Sequence, residues 1–114
     1  MKFPTRATIA MAFAVSGLVG VVSASAATNS VVKIVQGKSY GFDAVTAIGS
    51  NGAHVWVANS DGNSVTELNA SDGSPVRTLT GAAYGFNNPD GIASGSARIW
   101  VASFGGSVTE LTTR

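Results

Sequence analysis

The sequence of 114 residues contains no cysteine, and this absence excludes two features that are common in exported proteins. No disulfide can form, so the folded chain must be stabilised by packing and hydrogen bonds alone. A membrane anchor built on a lipid-modified cysteine is excluded as well.

Charged residues are also scarce, at 11% of the chain, and His54 is the single histidine. Beyond residue 26 there are five basic and six acidic side chains, which leaves no basic stripe for the phosphates of a nucleic acid. We therefore expect no nucleic-acid partner. Acid–base catalysis or metal binding by His54 would need a partner group at a defined geometry, and the sequence identifies none. We expect no catalytic residue, no metal site and no cofactor.

No apolar run is long enough for a membrane-spanning helix, which needs ~20 residues. The most apolar run, residues 8–22, follows Lys2 and Arg6 and precedes the small residues at 24–26. This order is typical of a signal peptide, so the sequence predicts one over residues 1–26 with cleavage after Ala26. No twin-arginine pair is present, which favours the general secretory (Sec) route. We expect residues 27–114 to be secreted, periplasmic or in the cell envelope, with no membrane attachment after cleavage.

The rest of the chain is rich in Gly, Ser, Asn and Thr and alternates between short apolar segments and turn clusters. At the turns, Asn and Asp bond to the local backbone and Gly supplies a positive φ. This composition predicts an all-β domain. The predicted strands are residues 31–35, 44–48, 53–58, 64–68, 75–80, 90–93, 97–102 and 107–111.

One segment of the chain recurs 44 residues later. The tripeptide Tyr-Gly-Phe at residues 40–42 returns at 84–86, and after one deletion Ser-Val-Thr-Glu-Leu at 64–68 returns at 107–111. A period of ~40–45 residues built from short strands is typical of a β-propeller blade. Glu67 and Glu110 occupy the same place in the two copies of the pentapeptide. A catalytic residue normally occurs only once, so we expect these glutamates to have a structural role.

Trp56 and Trp100 occupy equivalent places in strands that are apolar on both faces. A sheet with one solvated face would show polar residues at alternate positions. The pattern therefore indicates sheets that are covered on both sides, and we expect both tryptophans to pack between neighbouring blades.

The runs at residues 54–59, 62–68 and 88–92 resemble the NHL-type and related six- or seven-bladed β-propeller repeats of secreted bacterial proteins. The resemblance extends over most of residues 27–114. It implies about two four-stranded antiparallel blades, with repeat 1 at about residues 31–74 and repeat 2 at about 75–114. It says little about activity, because this superfamily holds binding scaffolds, sensors and a few enzymes.

Two blades do not close a propeller, which takes at least about four. Two explanations stay open. The chain is a fragment of a longer propeller, or identical chains close a ring together as a homotrimer with six blades. In the second case the outer strand at residues 31–36 of one chain completes the three-strand set of the next chain.

The connectors between blades carry the candidate ligand-binding residues. Aromatic rings beside Asn and Asp offer a stacking surface with hydrogen-bonding groups, as a carbohydrate or protein ligand requires. The alternative is that these rings close the junction between blades. The candidates are Tyr40, Phe42, Asp43, Tyr84, Phe86 and Asn87.

The sequence thus predicts an exported binding or interaction scaffold that is not an enzyme. The alternative is a truncated member of a propeller enzyme family, a lyase or a hydrolase, that lacks its catalytic blades. Some propellers that this chain resembles are lyases that use histidine and metal-bound carboxylates. No such set can be matched to residues of this chain.

Overall fold

The computed structural model describes residues 29–113, which divide after Ile34 into two parts. The signal peptide predicted over residues 1–26 lies outside the described residues. Residues 29–36 contain no helix or strand, so the strand predicted at residues 31–35 is not formed within the described single chain. Its β-branched residues favour an extended backbone, but a strand also requires the ladder hydrogen bonds of a paired neighbour.

Residues 35–113 contain seven strands in two antiparallel sheets, which confirms the all-β class. The first sheet has the order β1-β2-β3-β4. Its strands are β1 (Val45–Ser50), β2 (His54–Asn59), β3 (Ser64–Asn69) and β4 (Pro75–Thr80).

The second sheet has three strands in the order β5-β6-β7, so the expectation of a second four-stranded sheet is not met within the described residues. Its strands are β5 (Pro89–Ser94), β6 (Arg98–Ser103) and β7 (Ser107–Thr112). All seven strands lie within two residues of their predicted bounds. The two sheets form no closed ring within the part of the chain that the structure describes.

The two sheets repeat each other in detail. The pairing of β1 with β2 shifts register between Val45 and Ala47, and the pairing of β5 with β6 shifts at the equivalent Pro89 and Gly91. Because bulges bend and twist a strand locally, the shared shift gives both inner strands the same course. The sequence repeat is therefore a structural repeat.

A short 3-10 turn precedes each sheet, at Lys38–Tyr40 and at Ala82–Tyr84. Each turn ends at a glycine in the left-handed conformation, Gly41 with φ 67° and Gly85 with φ 69°. Residues with a Cβ rarely adopt this conformation. The central glycine of the repeated Tyr-Gly-Phe is thus explained by the backbone of the turn.

The sheets stack face to face, and the core lies between them. Its buried residues are Trp56, Val65, Phe86, Ile99 and Val101. The closest approach is at Gly49, where an added Cβ would lie only 2.6 Å from a methyl carbon of Ile92. Glycine at this position therefore sets the spacing between β1 and β5.

Hydrogen bonds fix the stack at its edges. The Thr46 hydroxyl donates to the carbonyl of Pro89 at 2.9 Å, and the Ser94 hydroxyl donates to the carbonyl of Ser50 at 2.6 Å. These bonds hold β5 against β1 in a single register.

The expectation for the two tryptophans is confirmed for one of them. Trp56 is 2% exposed between the sheets, whereas Trp100 is 45% exposed. Each side chain lies on the same face of its own sheet. The face of Trp56 is covered by the second sheet, and no further sheet in the described chain covers the face of Trp100.

Candidate functional site

The structure places the candidate aromatic residues in two separate connectors, each at the start of its own sheet. The rings of Tyr40 and Phe42 stack with their centroids 5.2 Å apart, and those of Tyr84 and Phe86 stack at 5.4 Å. A threonine hydroxyl of the following sheet fixes each connector. Thr66 donates to the carbonyl of Tyr40 at 2.7 Å, and its counterpart Thr109 donates to that of Tyr84 at 2.6 Å.

The two connectors differ in burial. Phe86 belongs to the core between the sheets, and Tyr84 packs against that core. Tyr40 and Phe42 precede the first sheet and are partly exposed. The rings of the second connector therefore close the junction between the sheets, which is the structural alternative for these residues.

Asp43 and Asn87, the polar members of the two sets, are exposed beside turn glycines. An added Cβ on Gly62 would meet the Asp43 side chain at 3.2 Å, and one on Gly105 would meet that of Asn87 at 2.2 Å. Each backbone N–H is also bound, that of Asn87 by the Ser103 hydroxyl at 3.2 Å. The side chains face solvent at the turn end of each sheet.

The turn between β6 and β7 adds an aromatic residue that the sequence analysis missed. Phe104 is 82% exposed, and its N–H donates to the carbonyl of Asn88 at 2.9 Å. The N–H of Gly105 donates to the carbonyl of Asn87 at 3.0 Å, which brings the ring next to a candidate residue. A comparison of the two copies of the repeat could have identified Phe104, because the equivalent residue of the first copy is Ser60.

A charged cluster lies on the face of the first sheet that the second sheet covers. Glu67 is directly opposite Trp56 in the pairing of β3 with β2, and its side chain is 9% exposed. Oε1 of Glu67 lies 3.1 Å from Nε of Arg77 on β4, and Oε2 lies 3.5 Å from Nδ1 of His54 on β2. One carboxylate therefore ties three strands together, and both its oxygens are engaged.

These residues line a cleft of about 260 Å³ at the edge of the stack. Trp56 and Tyr84 supply aromatic walls, and Thr112 of β7 and the following Thr113 also line the cleft. His54 thus has a carboxylate neighbour that the sequence analysis did not identify. The register of the hairpin that joins β2 and β3 would have revealed it, since that register puts position 54 diagonally across from position 67.

The second sheet repeats this cluster in part. Arg98 takes the place of His54, and its Nη1 contacts Oε2 of Glu110. The Glu110 side chain is 39% exposed, whereas that of Glu67 is 9% exposed. The described second sheet has no fourth strand, so it supplies no counterpart of Arg77.

We use the term outer face for the exposed side of the second sheet, formed by Arg98, Trp100, Ala102, Val108 and Glu110. Its equivalents in the first sheet are His54, Trp56, Ala58, Val65 and Glu67, which the second sheet covers. Val108 is 65% exposed and Val65 is 0% exposed. Equivalent side chains are thus buried in the first sheet and exposed to solvent in the second.

The opposite side of the first sheet shows the complementary difference. Ile48 is 67% exposed, and its counterpart Ile92 is partly buried against Gly49 of the first sheet. We use the term leading face for this side of the first sheet. On the central strands of this side Val57 and Leu68 are only 4% and 5% exposed, so the leading face is open at β1 and the outer face is the more exposed of the two.

Within the described residues no group of three or more histidine, cysteine, aspartate or glutamate side chains is arranged to hold a metal ion. No described helix is long and apolar enough to cross a membrane. No protein-family model matches the chain, and none of the curated proteins is detectably similar to it.

Proposed function

We propose that this chain is an exported binding or interaction scaffold of the β-propeller-repeat type, which binds protein partners by stacking sheets on its outer face. The proposal rests on one observation: residues that are buried between the sheets in the first copy of the repeat have equivalents that are exposed in the second copy. Trp100 and Val108 are exposed at positions where Trp56 and Val65 form an interface inside the chain.

The outer face has the composition of an interface centre with a polar rim. A tryptophan beside a valine supplies the apolar centre, and tryptophan is enriched among the residues that dominate binding energy. Arg98 and Glu110 lie beside them and contact each other, as the charged cluster does at the rim of the interface inside the chain. This arrangement favours a protein sheet over a lipid surface as the partner.

Site-specific photo-cross-linking in cells that export the chain tests the proposal. We expect benzoylphenylalanine at position 108, on the outer face, to form a discrete covalent adduct with a protein. The control is the same residue at position 61, in the exposed turn between β2 and β3. No adduct at 108, or equal adducts at both positions, would contradict the proposal.

A second candidate function is the binding of a carbohydrate at the turn end of the second sheet, and the exposure of Phe104 favours it. An exposed ring beside Asn87 offers both the apolar platform and the hydrogen-bonding groups that a sugar ring requires. Affinity electrophoresis through gels that contain neutral polysaccharides tests this function. Retardation of the chain should be lost in Phe104→Ser, which restores the residue of the first copy, and kept in Phe104→Tyr. Equal mobility of all three proteins in every gel would exclude it.

A further inference from the structure

We propose that residues 31–36 of one copy of this chain form the fourth strand of the second sheet of another copy, by pairing with the open edge of β7. The inference rests on the proposed function and deepens it, because it names a second copy as the partner that covers the outer face. Three observations carry it: an open edge, a segment that fits it, and a charge pair in the transferred register.

The open edge is that of β7. In the first sheet the equivalent strand β3 pairs along its full length with β4. In the second sheet β6 is the one strand among residues 29–113 that pairs with β7. An unpaired edge presents a row of backbone donors and acceptors, and such edges recruit further strands.

The segment that fits this edge is the counterpart of β4. Residues 31–36 precede Pro75–Thr80 by one repeat of 44, and Val32 and Gly37 return as Val76 and Gly81. Gly37 has φ 118° and ψ 168°, and Gly81 has φ 111° and ψ 163°, so each segment leads into its 3-10 turn with the same backbone. The segment thus has the composition of an outer strand and the exit geometry of β4.

The register of β3 with β4 can be transferred directly. Val65 pairs with Leu79 and Glu67 pairs with Arg77 in the first sheet. The equivalent pairs are Val108 with Val35 and Glu110 with Lys33 of the second copy.

The transferred register places opposite charges together at the position where the first sheet has its ion pair. Glu67 contacts His54 through Oε2 and Arg77 through Oε1. Glu110 contacts Arg98 through Oε2 as well, so Oε1 is the oxygen that corresponds to the one facing Arg77. Lys33 is the cation that the repeat provides for it.

Chain order favours a second copy over the same chain as the source of the strand. β4 precedes the second sheet and belongs to the sheet before it. By the same repeat, residues 31–36 come before the first sheet in the chain, whereas β7 lies in the second sheet. Pairing between copies would also place the leading face of the next copy on the outer face. One difference accompanies this stacking, because Ala93 stands where the first sheet has Gly49, so the spacing there must be wider by about a methyl group.

Because the chain has no cysteine, a pair of engineered cysteines tests the strand pairing without interference from other thiols. In the full chain, Val35→Cys combined with Val108→Cys places two thiols directly opposite each other, at the distance of a cross-strand pair. We expect disulfide-linked oligomers, with a closed trimer as the end product, on non-reducing gels after mild oxidation. The matched control is Val35→Cys with Thr112→Cys, which moves one thiol four residues, or about 13 Å, along the strand. It should stay uncross-linked.

Charge substitution gives an independent readout by sedimentation velocity. Lys33→Glu places like charges opposite each other and should weaken association about threefold to tenfold. Lys33→Arg, the residue type of the first sheet, should keep it. A disulfide confined to monomers would show that the strand pairs within its own chain, and equal cross-linking of test and control pairs would refute the register. If cross-linking fails while the adduct at position 108 persists, the strand pairing is wrong and the scaffold function stands.

Discussion

Replacing each tryptophan separately with alanine tests how the two faces are covered, because the two residues occupy the same place in the repeat. Trp56 is 2% exposed and Trp100 is 45% exposed in the chain. Truncating a fully buried tryptophan costs about 3–5 kcal/mol of unfolding free energy, since apolar contact is lost and a cavity remains. Trp100 buries about half as much surface, and its loss leaves no enclosed cavity, so we expect about 2 kcal/mol or less for Trp100→Ala.

The assay is urea unfolding followed by far-UV circular dichroism, since tryptophan emission would lose its reporter in the variants. It is run at a dilution where sedimentation shows a single chain. A domain of this size is only marginally stable, so Trp56→Ala is accompanied by the milder Trp56→Phe. Equal losses for the two alanine variants, or a larger loss for Trp100→Ala, would refute the assignment of the covered face.

The same measurement at high concentration separates a chain that associates from one that does not. Association that occurs only in the folded state adds about 2.7 kcal/mol at a hundredfold excess over the dissociation constant. We therefore expect the stability of the unmodified chain to rise with concentration. The stability of Trp100→Ala should stay nearly constant, because its outer face has lost its centre. A concentration-independent difference between the two proteins would contradict a role of the outer face in association.

Four further substitutions are tested by the same unfolding measurement. Gly49→Ala should cost about 1–3 kcal/mol, because the new methyl group would meet an isoleucine on β5 at 2.6 Å; an unchanged midpoint would show that the sheets are not this close. Glu67→Gln should cost about 1–3 kcal/mol of unfolding free energy, because it weakens two contacts of a nearly buried carboxylate. Glu110→Gln should cost less than about 1 kcal/mol in the single chain, because the Glu110 side chain is more exposed. Equal losses for the two variants would contradict the difference in burial. Ala44→Asn should stabilise the chain by about 0.5–1 kcal/mol, because Ala44 has φ 56° and asparagine occurs at the equivalent position 88 with the same φ; a loss would show that the two turns differ.

The seven strands of the two sheets could be predicted from the sequence because they are short and bounded by turn residues, and because most are rich in β-branched residues; β5, with a single β-branched residue, was supported by its place in the repeat. Nothing in these local signals required knowledge of the tertiary structure. The segment at residues 31–35 has the same composition and yet forms no strand. A strand depends on its neighbour, and composition does not show whether a neighbour is present.

The same limitation explains what was missed at the candidate site. The burial of Trp56 and the exposure of Trp100 depend on which face the next sheet covers, which a pattern that is apolar on both faces does not reveal. The contacts of Glu67 with His54 and Arg77 depend on the register across two hairpins. Each pair lies on different strands, so spacing along the chain gives no direct signal for it.

The two copies of the repeat allow framework to be separated from function residue by residue. Positions that are identical in both copies have structural explanations: the glycines at 41 and 85 end the turns, and the threonines at 66 and 109 hold the connectors. Some positions that differ are also explained by the fold, as Gly49 is by the spacing between β1 and β5, whereas others have no such explanation. The exposed Phe104 in place of Ser60 is the clearest of these, since Phe104 is 82% exposed and the hairpin of β2 and β3 forms without an aromatic residue there. Selectivity for a ligand should therefore depend on the residues that differ between the copies, and the capacity to stack on those that are the same.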